Sequence, residues 1–204
     1  YQARFTMNTA TAIAAGKMRS DCADMRVFTD ANLQNPIPYY LESGCDTAST
    51  VIWAKVPTIA ASSTNTIYVN YGISNRTSAS NGNDVFIFFD DFESGAIDTN
   101  KWVVGGTANW IIETADSFQG SFSSKNGDIN PYENSYIATK DGSGLVNIPA
   151  GRTGIIDFYW KVGSYTSYDF NFYCKTDVDA TLPTCTRTSG YINRISGTVP
   201  WTRE

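Results

Sequence analysis

A chain of 204 residues with 42% hydrophobic and 14% aromatic side chains holds enough apolar material for a packed core, which excludes intrinsic disorder. The 15 Lys and Arg against 20 Asp and Glu leave a net charge of -5, so the field that gathers phosphate backbones is missing and nucleic acid is not an expected partner. Histidine is absent, which excludes Ser/His/Asp and Cys/His triads, HExxH zinc sites and imidazole acid/base chemistry.

Short runs rich in Val, Ile, Phe, Tyr and Trp alternate with Ala, Ser, Thr, Asn and Gly, the pattern of half-buried strands joined by turns. The first predicted strand is Ala3 to Met7. One short helix follows, Ala10 to Met18, weakened by Gly16. Further strands are expected at Met25 to Thr29 and Pro38 to Glu42. From Val51 to Val56, Val51, Trp53 and Lys55 share one face and Ile52, Ala54 and Val56 the other. Both faces are apolar, so this strand belongs inside a sandwich. Thr66 to Tyr71 sets Ile67, Val69 and Tyr71 opposite Thr66, Tyr68 and Asn70, as in a strand with one face to solvent. A turn-rich stretch, Gly72 to Asp84, leads into an apolar run read as a strand from Val85 to Phe92. The remaining predicted strands are Trp110 to Glu113, Ser135 to Ala138, Gly154 to Val162 and Phe170 to Cys174. A change of texture near residues 84–90 sets a domain boundary. The expected fold is all-β, two tandem antiparallel β-sandwiches over residues 1–88 and 89–204, the second of jelly-roll type. No stretch of about 20 apolar residues is present to enter a bilayer.

The cysteines Cys22, Cys45, Cys174 and Cys185 form two well-separated pairs without the CxxC spacing of metal or redox sites. Disulfides Cys22–Cys45 and Cys174–Cys185, each closing a short loop, are favoured over the two crossed pairings, with free cytosolic thiols as the alternative. Disulfides imply an oxidising compartment, outside the cell or at its surface.

The segments Ala15 to Val27, Pro36 to Cys45, Ile52 to Pro57 and Thr66 to Gly72, in this order, resemble domain-of-unknown-function family 2341. That family occurs in secreted and surface proteins of bacteria and archaea. The resemblance implies a further strand ahead of Gln2 to Met7: either the sequence in hand starts after it, or a neighbouring segment supplies it, since an open edge otherwise exposes unpaired backbone groups. The segments Phe92 to Gly95, Lys101-Trp102, Gln119 to Lys125 and Ile156 to Val162 resemble lectin-like or MAM-like jelly-roll modules. Such modules run on for several more strands, which implies a second sheet left incomplete at Glu204.

Among candidate sites, Asp90, Asp91 and Glu93 form the densest acidic cluster. Hard oxygen ligands at this spacing suit a structural Ca²⁺ held by Asp91 and Glu93 with carbonyls of the Gly120 loop, against the plainer reading of a solvated strand end. The jelly-roll resemblance implies the calcium role for Glu93. Asp90 and Asp91 point to opposite sides of a strand, which speaks against a shared glycosidase cleft. Tyr132, Tyr165 and Tyr168 lie among loop residues and are the candidates for stacking on sugar rings, whereas rings such as Phe158 and Trp160 belong to the core. Lys17, Asp21, Asp24 and Arg26 are expected to form an ion-pair set that locks a loop to the next strand. Asn75-Arg-Thr77 fits the N-glycosylation acceptor pattern.

The functional expectation is a non-enzymatic extracellular module of a cell-surface protein or filament, structural or adhesive, assembling with other copies or neighbouring domains by strand complementation. The alternative is a carbohydrate-binding module, calcium-stabilised, that takes a polysaccharide.

Overall fold

The computed structural model describes residues 1–42, 44–140, 146, 148–151, 153–164, 170–173 and 192–204. In strand β1 (Gln2–Met7), Ala3, Phe5 and Met7 are half-buried while Gln2, Arg4 and Thr6 are exposed, the period-two signature of a strand with one covered face. Strand β5 (Thr50–Lys55) buries Ile52 and Ala54 completely on one face and turns Trp53 to the other. It lies between β1 and β4 (Tyr39–Leu41), both antiparallel, with Phe5 opposite Ile52 and Tyr40 opposite Trp53. A second antiparallel sheet has the order β3 (Pro36–Ile37), β2 (Arg26–Phe28), β6 (Tyr68–Asn70). The predicted strand Pro38 to Glu42 is thus part of a longer extended run that changes sheets at Pro38, a residue with no N–H to offer either ladder.

Between the sheets lie Met25 and Val27 from one side and Tyr39, Ile52 and Ala54 from the other, joined by Ala12, Met18 and Cys22. Ile67, Val69 and Tyr71 pack against this core, as their alternation predicts. Each fully buried aliphatic side chain here stabilises the fold by about 1.5–3 kcal/mol. The helix between the first strands is shorter than expected. Asn8 caps α1 (Thr9–Ala14), its side chain accepting from Thr11 N at 3.0 Å, and the chain leaves the helix where Gly16 N–H turns back to Ile13 O at 2.8 Å. Met18, freed from the helix, fills the core instead.

The run from Val85 to Phe92 corrects a sequence expectation, because it forms no strand. Asn81 caps a single helical turn, α2 (Gly82–Val85), which buries Val85, and the following rings fold over the outer face of β4 and β5. Phe86 meets Trp53 edge-on with centroids 5.3 Å apart, and Phe89 meets Tyr40 at 4.6 Å. The physical reason lies in β5, whose second apolar face needs a cover, and an aromatic plug supplies it without a further ladder. Gly82 is required by this packing, since a Cβ there would stand 2.4 Å from the Phe89 ring.

The chain divides into two compact units. The first comprises Tyr1–Ile97, Trp110–Asp128 and Leu145–Asn147, and the second Asp98–Asn109, Ile129–Gly144 and Ile148–Glu204. Besides the sandwich, the first unit contains the antiparallel pair β8 (Ile111–Glu113) and β9 (Ser123–Lys125). Among the described residues the second contains three antiparallel pairs: β7 (Trp102–Gly106) with β10 (Ser135–Thr139), β11 (Tyr159–Gly163) with β14 (Thr198–Arg203), and β12 (Phe170–Tyr173) with β13 (Asn193–Ser196). Phe158, Trp160 and Tyr173 pack edge to face there at 5.1–5.8 Å, and Trp160 is buried. The fold class is all-β, as the alternating runs predict. Among the described residues no helix is long and apolar enough to cross a membrane.

Candidate functional site

The segment before β2 organises one end of the sandwich. Its turn closes through Cys22 N–H to Arg19 O at 3.0 Å and carries Cys22 at φ 52, so the sulfur faces Cys45 in the stretch between β4 and β5. The disulfide Cys22–Cys45, with Cα atoms 5.8 Å apart, therefore ties the two sheets together. The expected pairing Cys174–Cys185 lies outside the described residues.

The charged residues of this segment do not form the ion-pair set that their spacing suggests. Asp21 pairs instead with Arg19, Nε to Oδ1 at 2.9 Å and Nη2 to Oδ2 at 2.5 Å, a two-pronged contact that sequence reading passes over. The Arg19 hydrogen bond, and after it the Ala23 N–H, lowers the Asp21 carboxyl from 3.8 to about 2. Arg19 also donates to Ser74 O and Arg76 O at 2.8 and 3.0 Å, while Arg26 reaches Thr77 O at 2.8 Å. Asp24, fully buried, accepts from Arg19 N at 3.2 Å and Gly72 N at 2.6 Å. Lys17 is exposed. Backbone groups, then, are the partners that let Asp24 and Arg26 tolerate their surroundings. These contacts hold the loop 74–77, where Asn75 stands exposed in a turn.

Beside this clamp opens a pocket of about 290 Å³. Its floor is formed by Tyr39, whose hydroxyl donates to Met25 O at 2.9 Å, and by Tyr40 and Leu41. Asp21, Cys22, Ser78, Ser80, Asp91 and Gln119 complete the lining. The groups are fixed by the backbone around them. Ser80 Oγ accepts from Leu41 N at 2.9 Å, and Gln119 Nε2 donates to Leu41 O at 3.2 Å. Burial first, and then the carboxylates Asp91, Glu42 and Glu93, push the Tyr40 phenol above its usual range, partly opposed by a hydrogen bond with Gln119. Tyr40 is therefore a neutral hydroxyl in a negative field.

The expected calcium ligands flank this pocket. Asp91 Oδ1 accepts from Glu93 N at 3.2 Å, and Glu93 Oε1 accepts from Ser121 N and Phe122 N at 2.8 and 2.9 Å. The Gly120 loop thus offers Glu93 its amides, whereas a hard cation takes carbonyl oxygens. Among the described residues no three His, Cys, Asp or Glu side chains are grouped to hold a metal. Gly120 has φ +69, and a Cβ on it would fall 2.4 Å from the Glu93 carboxylate. Gly120→Ala is accordingly expected to lower stability by about 1–2 kcal/mol, the cost of a left-handed residue with a side chain, read as a shift of the urea midpoint. An unchanged midpoint would show that the loop is not held by Glu93.

Tyr132, in the second unit, stands with its ring wholly exposed at the tip of a turn closed by Glu133 N–H to Asn130 O at 3.1 Å and by the Glu133 carboxylate on Asn130 N at 2.6 Å. Tyr165 and Tyr168 lie outside the described residues.

Residues 21–105 match the family model described as Domain of unknown function (DUF2341). The match includes the disulfide, Asp21, Asp24 and Arg26 but not Arg19 of the clamp, and every pocket residue except Gln119. No curated protein and no solved structure matches the chain. The resemblance of the first half is therefore upheld over residues 21–105, while that of the second half to jelly-roll modules rests on its motifs alone.

Proposed function

We propose that this chain is a non-enzymatic extracellular module, structural or adhesive, of a cell-surface protein or filament, and that it assembles by strand complementation. The observation that carries the reading is the outer edge of β1. Tyr1 and Val56 exchange both backbone hydrogen bonds at 2.8 Å, so by alternation Ala3, Phe5 and Met7 bond to β5 while the N–H and C=O groups of Gln2, Arg4 and Thr6 point away from it. β1 is six residues long and ends the sheet order, with no described strand beyond it. The opposite edge of the same sheet is covered, because Ser80 bridges Tyr39 and Asn81 N donates to Tyr39 O at 2.9 Å. An edge to which no described strand pairs, beside a protected one, is a template for an incoming strand. The disulfide fits an oxidising setting, in which a small sandwich gains stability from covalent closure.

Thr6→Pro tests this reading, since it removes an outward N–H without touching a bond to β5. Wild-type protein is expected to associate with rising concentration in sedimentation velocity, and the variant to stay monomeric with its far-ultraviolet spectrum unchanged. A wild-type chain that remains monomeric at high concentration overturns the proposal. Ala3→Pro, which breaks a bond to β5, serves as the contrast and is expected to destabilise the monomer itself.

The second reading, carbohydrate binding, is favoured by the exposed ring of Tyr132. Tyrosine at a loop tip presents an apolar face and a hydroxyl at little conformational cost, which suits stacking on a sugar. Loss of polysaccharide retention in Tyr132→Ala is the expected outcome on an affinity gel, and unchanged retention removes the residue from the site.

A further inference from the structure

We infer that the pocket beside the disulfide receives one residue of a neutral saccharide. The inference takes only its ligand class from the carbohydrate reading, and its site is different from Tyr132. Three observations support it. First, the pocket is a concavity of about 290 Å³, close to the lower end of ligand sites and suited to a single hexose ring. Second, its walls mix acceptors and donors at short range: the carboxylates of Asp21 and Asp91, the hydroxyls of Tyr40, Ser78 and Ser80, and the amide of Gln119. Ionised carboxylates only accept and hydroxyls do both, so the complementary ligand must carry several O–H groups that donate and accept together. Third, the charge excludes anionic small ligands. Asp21 is neutralised by its two-pronged contact with Arg19, but Tyr40 still sits in the field of Asp91, Glu42 and Glu93. Phosphate, sulfate and uronate groups are repelled there.

The geometry assigns roles. Asp91 accepts from a pair of ligand hydroxyls, and the Tyr40 hydroxyl and Gln119 amide stand near it to donate. Leu41 provides apolar wall against the C–H face of the ring. Because these side chains are anchored to backbone on separate segments, the pocket exists before the ligand arrives, and little ordering entropy is lost on binding.

The test is an array of neutral mono- and oligosaccharides (glucose, galactose, mannose and N-acetylhexosamine series) beside uronic-acid and sulfated ones, followed by titration calorimetry on whatever is retained. The protein is the full chain, run with EDTA in one arm and calcium in the other. Retention of a neutral glycan in both arms is expected, weakened roughly tenfold by Asp91→Asn, the worth of one hydrogen bond to an ionised group. Asp91→Asn retains an acceptor for Glu93 N, so thermal melts should show it folded; Tyr40→Phe gives a second, independent variant. Binding lost in Tyr132→Ala but intact in Asp91→Asn and Tyr40→Phe overturns the pocket and leaves the second reading standing. Retention of acidic glycans only, or of none, also overturns it, while the assembly proposal stands or falls separately by sedimentation.

Discussion

Replacing both Cys22 and Cys45 by serine is expected to lower the stability of the first unit by about 3 kcal/mol, because the bond closes a loop between residues 23 positions apart and so removes that loop's freedom from the unfolded chain. The loss should exceed what the loop length alone dictates. Cys22 is 2% exposed and occupies φ 52, a left-handed conformation that serine must also adopt, now without the covalent partner that holds it. The turn closed by Cys22 N–H positions Arg19 and Asp21, so the clamp on the loop 74–77 should loosen with it. Urea denaturation of the oxidised wild type, the reduced wild type and the double variant measures the effect. A midpoint that does not move, or thiols that titrate in the native protein, would remove both the staple and the argument for an oxidising compartment.

Much of the first unit is legible in the amino-acid order because its strands obey a single rule. Phe5, Ile52, Ala54 and Val69 fall at period-two positions of their strands, and the core is built from those positions. The same rule fails where a strand has no alternating apolar face to announce it. β9 is Ser-Ser-Lys, and β7 ends on Gly105 and Gly106, so neither shows alternation, although both pair regularly. It fails in the other direction at Val85 to Phe89. An apolar run bounded by turns reads as a strand, yet the deciding fact is the uncovered Trp53 and Tyr40 on a distant pair of strands. Cys22 and Cys45 were readable as a pair from their spacing. The pocket was not, since its residues come from five separated stretches that only the strand pairing brings together. Arg19 illustrates the same limit. Its nearest acidic neighbour, Asp21, is visible in the sequence, but its carbonyl partners at Ser74 and Arg76 are more than fifty residues away.

Asp24→Ala is expected to cost roughly 2–4 kcal/mol, since it empties a position with 0% exposure and takes the ionised acceptor from two part-buried N–H donors, Arg19 N and Gly72 N. Asp24→Asn discriminates between charge and shape. It keeps the volume and one acceptor but turns an N–H₂ toward one of the two donors, so a loss of roughly 1–3 kcal/mol is expected where a merely space-filling role predicts none. The effect should also spread in a defined direction. Asp24 holds the start of the loop through Gly72, and Arg19 holds its middle through Ser74 and Arg76. Ser78 and Ser80, which line the pocket, follow directly after it. Faster amide hydrogen exchange across residues 72–80 in Asp24→Asn, with β5 still protected, is the predicted pattern. Exchange that rises equally in β5 would mean that Asp24 stabilises the whole sandwich and has no particular hold on the loop, and a variant as stable as wild type would mean that the buried carboxylate does not accept both bonds.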